Sequence, residues 1–172
     1  MKKNIIKILS SALIIGSLFN ISANAAEQVV ANSIYSIISN DNLSIGGIHL
    51  SDNFQSIKNR FNEYYKYSYN NSNYFSDSTE YGYGNWLLVI DTEGNEIKRI
   101  FYSQYGNSGL DLNLGDISIG DTKDKLDSFN KYYYEQTSAD VDKIIIDKDF
   151  IQLNVYVNNK TKLIYGYEIY YK

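Results

Sequence analysis

Polar and apolar positions alternate in two distinct rhythms along this chain. Between 48 and 65 the apolar residues Phe54, Ile57, Phe61 and Tyr64 recur every three or four positions, the spacing of one helical face. Asp52 precedes that face, and Gln55 stands three residues on, where a capping box places Glu or Gln. The pattern predicts an amphipathic helix that covers a sheet. It returns at 117–133, where Thr122, Leu126, Phe129 and Tyr133 share a face behind Asp121 or Thr122 as cap. The two stretches align: Ile48 with Ile117, Leu50 with Ile119, Asp52 with Asp121, and Ile57 with Leu126. A slip of one residue then matches Phe61-Asn62 to Phe129-Asn130, and Tyr64-Tyr65 to Tyr132-Tyr133.

The second rhythm has a period of two. Tyr65, Tyr67 and Tyr69 alternate with Lys66 and Ser68, which is strand spacing with three rings on one face. Residues 70–79 are polar and predict a loop; 80–84 alternate again, with Tyr81 and Tyr83 on one side. The run from Trp86 to Ile90 predicts a buried strand, and Gly94 in the following turn predicts a hairpin with 96–103. Strands are also predicted over 142–147, 150–157 and 161–171, with a hairpin turn at Asn158-Asn159-Lys160.

Together these elements predict an α+β fold of two tandem repeats. Each repeat is a helix followed by an antiparallel sheet of about three strands, and the sheets join or pack into one domain. Repeat 1 spans 43–104 and repeat 2 spans 105–172. Residues 26–42 form an N-terminal arm or short helix. Residues 1–25 have a basic start (Lys2, Lys3, Lys7), an apolar run and Ala23-Asn24-Ala25, the three parts of a secretory signal peptide cleaved near Ala25. Secretion to the extracellular space is therefore expected.

Ile117, Ile119, Gly120, Thr122 and Leu126 follow an apolar lead, then Gly-x-Thr/Ser-x-x-x-Val/Leu opening a helix. In this the chain resembles the superfamily of β-lactamase inhibitor proteins and the related small outer-membrane assembly lipoproteins. The first copy keeps Ile57 but has Ser51 for the Gly and Asn53 for the Thr, and Asn62 and Asn130 stand near the helix ends where that superfamily has Gly. The resemblance implies a combined sheet that offers a concave, aromatic-rich surface to a protein partner, with a hairpin tip reaching into the partner's cleft. Here that tip carries Asp91, Glu93 and Asn95.

Composition sharpens the picture. There are 20 acidic and 16 basic residues, a formal charge of −4; without Lys2, Lys3 and Lys7 it becomes about −7. That sign repels phosphate backbones and anionic lipid, so no nucleic-acid partner is expected, and no membrane span after leader removal. With no Cys and one His, ordinary zinc sites and disulfide staples are excluded. No cofactor motif is present. The 18 Tyr residues supply large contact areas at low entropic cost.

Catalytic sets are sparse. His49 has no accompanying nucleophile motif. Asp140, Asp142, Asp147 and Asp149 are spaced like an acidic cluster, although solvated turn carboxylates explain them as well. The sequence therefore predicts a secreted, non-catalytic binding protein with a protein partner, with inhibition of an extracellular enzyme as one such role. The alternatives are a cell-wall or glycan-binding module, since exposed rings stack on sugars, and a hydrolase using acidic residues. The candidate binding residues are Tyr81, Tyr83, Trp86, Asp91, Glu93, Tyr102 and Tyr105. Trp86 opens a buried-looking strand, so core and surface both remain open for it.

Overall fold

A computed structural model describes residues 43–78, 84–106, 108–126, 132–138, 140–148 and 150–172. The chain divides into two units, and every described residue lies in the second, Ile37–Lys172. The leader, the N-terminal arm, Tyr81, Tyr83 and Asp149 lie outside the described residues.

The described part of the second unit is mainly β. A small hairpin, β1 (Ser44–Ile45) and β2 (Ile48–His49), leads into helix α1 (Phe54–Arg60). Then come β3 (Tyr65–Tyr69), β4 (Ser72–Ser76), β5 (Trp86–Glu93) and β6 (Glu96–Gln104). After a 3-10 turn at Lys123–Leu126 follow β7 (Tyr132–Ser138), β8 (Val141–Lys148), β9 (Ile151–Asn158) and β10 (Ile164–Tyr171). The last eight strands form one antiparallel sheet in the order β3-β4-β5-β6-β10-β9-β8-β7.

This overturns the α+β expectation of two helix-plus-sheet repeats. Where the second helix was predicted, over 117–133, the described residues form an irregular lead, the 3-10 turn and the start of β7; 127–131, with Phe129 and Asn130, lie outside the described residues. The apolar spacing serves a segment that lies on the sheet: Leu112, Leu114, Ile117 and Leu126 are buried, and the Tyr167 hydroxyl donates to the Ile117 carbonyl at 3.0 Å. The polar stretch read as a loop contains β4. Asn70 and Asn71 both have positive φ (47° and 65°), which makes a tight two-residue hairpin of the mirror-image type, and the chain returns at once.

What the aligned stretches share is a turn rather than a helix. Asp52 accepts from the His49 N–H at 2.8 Å, and Asp121 accepts from the Ser118 N–H at 2.7 Å. Both carboxylates close the bend before the next element. The cap of α1 is Asn53, whose Oδ1 accepts from the Gln55 N–H at 2.9 Å.

The core lies on one face of the sheet, called here the inner face. Phe75, Leu88, Ile90, Ile100, Tyr102, Tyr167, Ile169, Leu153, Val155 and Ile144 line it, all buried. Helix α1 covers its β4–β5 part. Phe54 and Phe61 meet the Phe75 ring edge-on, each at 6.4 Å, and Tyr64 meets Trp86 at 5.1 Å. Such pairs add roughly 0.5–1.5 kcal/mol each beyond area burial. Among the described residues no helix is long and apolar enough to cross a membrane.

Candidate partner-binding face

Strand alternation sends every second side chain to the opposite, outer face. On β5 these are Leu87, Val89 and Asp91; on β6, Arg99, Phe101 and Ser103; on β10, Gly166, Glu168 and Tyr170; on β9, Gln152, Asn154 and Tyr156. Polar and aromatic residues therefore meet across the four central strands.

At the centre is an ionic network. Glu168 accepts from Arg99 Nε at 2.5 Å, from Asn154 Nδ2 at 2.6 Å and from the Tyr156 hydroxyl at 2.6 Å. Arg99 also donates from Nη1 to Asp91 Oδ2 at 3.0 Å, and Gln152 donates to Asn154 Oδ1 at 2.8 Å. Glu168 and Asn154 are buried, at 7% and 2% exposure. Burial pushes the Glu168 carboxyl up, but the bonds from Tyr156, Asn154 and Arg99 pull harder and hold it below the usual glutamate range. Burial pushes the Arg99 guanidinium down, and Glu168 and Asp91 together raise it above its ordinary value. Burial first, then the bond to Glu168, raises the Tyr156 phenol.

At neutral pH the cluster therefore holds Arg99 and Glu168 charged and Tyr156 neutral. The carboxylate is thereby held as an acceptor and the phenol as its donor. Two buried oxygens on this face, Asp91 Oδ1 and Ser103 Oγ, have no hydrogen-bond partner.

Rings flank the centre on both sides. Phe101, Tyr156, Tyr165 and Tyr105 form a chain with centroid separations of 5.7, 6.3 and 5.9 Å. Toward the β3 edge, Tyr67 stacks on Tyr74 at 4.6 Å. Tyr69 is 66% exposed, Tyr105 58% and Tyr67 42%. Tyr69 and Tyr105 thus leave more than half of their surface exposed.

The expected site residues separate. Asp91 and Tyr105 stand on the outer face, Asp91 in the ionic network and Tyr105 against Tyr165. Glu93 sits at the β5–β6 hairpin with its side chain 84% exposed, 3.8 Å from Lys98. Trp86 and Tyr102 are inner-face residues, 3% and 0% exposed. The Tyr102 hydroxyl donates to the Leu110 carbonyl at 2.8 Å, and burial pushes its phenol up to about 12. Neither ring can meet a partner from there.

The acidic cluster is divided. Asp140 pairs with Lys160 at 2.7 Å, and Asp142 is buried opposite Val157 on the inner face. Asp147 opposes Gln152 on the outer face, 3.8 Å from Lys172. His49 lies 3.6 Å from Asp52 through Nδ1. Among the described residues no three His, Asp or Glu side chains are placed to share a metal ion.

Arg99, Glu168, Asn154 and Tyr156 escaped the sequence reading. One signal was available: Glu168 is a lone charge between Tyr167 and Ile169, in a strand otherwise rich in Tyr and Ile. Its partner was not legible, because the β6–β10 pairing joins residues 69 positions apart.

No family model matches the chain, and no curated protein matches it. Among solved structures, one similar chain is a cysteine-rich secretory protein from Staphylococcus aureus subsp. aureus Mu50, at 11% identity and a TM-score of 0.46. The match covers 72% of this chain and 44% of that one, so this chain spans less than half of that protein's length. At that level the likeness carries no inference about activity.

Proposed function

We propose that this chain is a secreted, non-catalytic binding protein whose outer sheet face recognises a protein partner. One observation carries the reading: Tyr67, Tyr69 and Tyr105 are exposed on one face, around an ionic centre that is already ordered. Rigid rings that need no reorganisation lose little entropy on binding. Inhibition of an extracellular enzyme is one use of such a face, with the exposed Glu93 hairpin at its rim. The leader-like first 25 residues support export.

The test is retention by the immobilised protein of proteins secreted by the source organism, compared with a Tyr69→Ala/Tyr105→Ala variant. A saturable partner whose affinity falls about tenfold or more in the variant supports the reading. Retention unchanged by the variant removes the face from the function. The exposed rings also suit sugar stacking. Sedimentation with purified cell wall, lost in the same variant and without a protein partner, would move the assignment to a glycan ligand.

A further inference from the structure

Strand β3 is one edge of the eight-stranded sheet, and residues 66–71 are exposed throughout. The hairpin geometry fixes which backbone groups are free. Tyr69 faces Ser72 across the two-residue turn, so these two residues exchange the first pair of ladder hydrogen bonds. Ser68, facing Asn73, is then the non-hydrogen-bonded pair, and its N–H and C=O point away from the sheet. Between Tyr65 and Tyr67 the register slips by one. The edge is therefore short but carries free ladder groups beside two exposed rings.

Residues 53–76 carry three cations, Lys58, Arg60 and Lys66, and the carboxylate Glu63, with Asp52 and Asp77 just beyond the two ends. Lys98, Arg99, Lys125, Lys160, Lys162 and Lys172 all sit in ion pairs. Lys58, Arg60 and Lys66 sit in none formed among the described residues. Lys58 instead lies over the Tyr65 ring, 4.0 Å from its centroid, at the start of β3. Arg60 lies over Phe61 and donates to the Gly46 carbonyl at 3.2 Å.

We infer that the β3 edge takes an acidic, extended peptide segment of another protein as a ninth, antiparallel or parallel strand. The backbone of Ser68 would supply ladder bonds, and Lys58 and Lys66 would meet the segment's carboxylates. A second copy of this chain fits less well, because two copies would bring the same unpaired cations together. One edge lysine is enough to discourage self-pairing; the further unpaired cations match an acidic guest. This rests on the proposed reading that the chain binds a polypeptide, and it names the mode and charge of that binding.

The probes are two capped octapeptides, one alternating Thr and Glu and the other alternating Thr and Lys, titrated into the protein and read by amide shifts or fluorescence polarisation. The acidic peptide should bind about tenfold tighter than the basic one, with the preference shrinking at high salt. Ser68→Pro removes the outward N–H while leaving the β4 side of the ladder intact, as edge prolines do; it should cost about tenfold or more in affinity, and Ser68→Ala little. Should Ser68→Pro fail to fold, Lys58→Glu/Lys66→Glu carries the test and should reverse the peptide preference. Equal binding of the two peptides, no binding of the acidic one at about millimolar concentration, or a preference that survives the charge reversal would each overturn the inference. A secreted partner held through Tyr69 and Tyr105, with no acidic-peptide preference, would sink the edge and leave the wider reading standing. Peptide binding through Ser68 with no retained protein partner would do the reverse.

Discussion

Glu168 shows how a buried charge becomes tolerable. Isolated in an apolar strand, its carboxylate would lose several kcal/mol of hydration. Here Arg99, Asn154 and Tyr156 replace that hydration with three short bonds. Removing one member leaves the others buried without it. Glu168→Gln should therefore lower stability at neutral pH by about 1–3 kcal/mol. The pH dependence follows from the direction of the shift. A carboxyl held below its unfolded value stabilises the fold above that value, and the contribution fades as pH falls through the folded pKa. Urea midpoints at pH 7 and near pH 3 should show the gap between parent and variant narrowing on acidification. A gap of the same size at both would mean that the charge of Glu168 is not what stabilises the network. Trp86 and Tyr102 teach the complementary lesson. Both share strand parity with Leu88, Ile90 and Ile100, all buried, and that parity alone marks them as interior.

Local elements were legible where backbone chemistry is local. The strand rhythm of Tyr65 to Tyr69, the run from Trp86 and the alternation from Ile151 to Val157 each became a strand. The first helix formed on the expected face, with Ile57 and Phe61 buried. The second helical pattern misled because an apolar spacing of three and four also suits an irregular segment lying on a sheet. Leu126 is fully buried without belonging to an α-helix. The β3–β4 hairpin was missed because its turn is Asn-Asn rather than the stronger Asn-Gly signal. That substitution gives an element-scale prediction. Asn71 has φ 65°, a conformation in which glycine is unstrained, so Asn71→Gly should raise the melting temperature slightly, by up to about 1 kcal/mol of stability. Gly120 has φ 91° in the turn closed by Asp121, and a Cβ added there would meet nothing within 4 Å beyond its chain neighbours. Gly120→Ala should cost about 1–2 kcal/mol through backbone strain alone. Thermal melts of the two variants read both signs, and an unaffected Gly120→Ala would mean that the turn relaxes freely.

At the scale of the molecule, two four-stranded meanders meet at one seam. Strands β6 and β10 are each the last of their meander, and their pairing from Ser103↔Gly166 to Arg99↔Tyr170 makes the two sheets one. The seam is apolar on the inner face, where Tyr102 opposes Tyr167 and Ile100 opposes Ile169, all fully buried. On the outer face it is ionic, through Arg99 and Glu168. No local pattern could announce this pairing, because the sequence separation is long and neither strand carries a mark of its partner. Its energetic weight follows from position. A seam residue packs against both meanders, so a cavity there weakens both at once. Ile100→Ala should cost about 2–5 kcal/mol, the range for a buried isoleucine. Hydrogen exchange should then accelerate together in β5, on one side, and in β9, on the other, because both depend on the same seam. Faster exchange confined to β3 through β6 would show instead that the meanders open separately. The outer face would then be a junction between two independent sheets, and a partner spanning Tyr69 and Tyr105 would have to hold β3 through β6 alone. Cooperative opening makes the face a single rigid platform, on which rings from the β3 edge to the β6–β10 seam keep fixed spacing before any partner arrives.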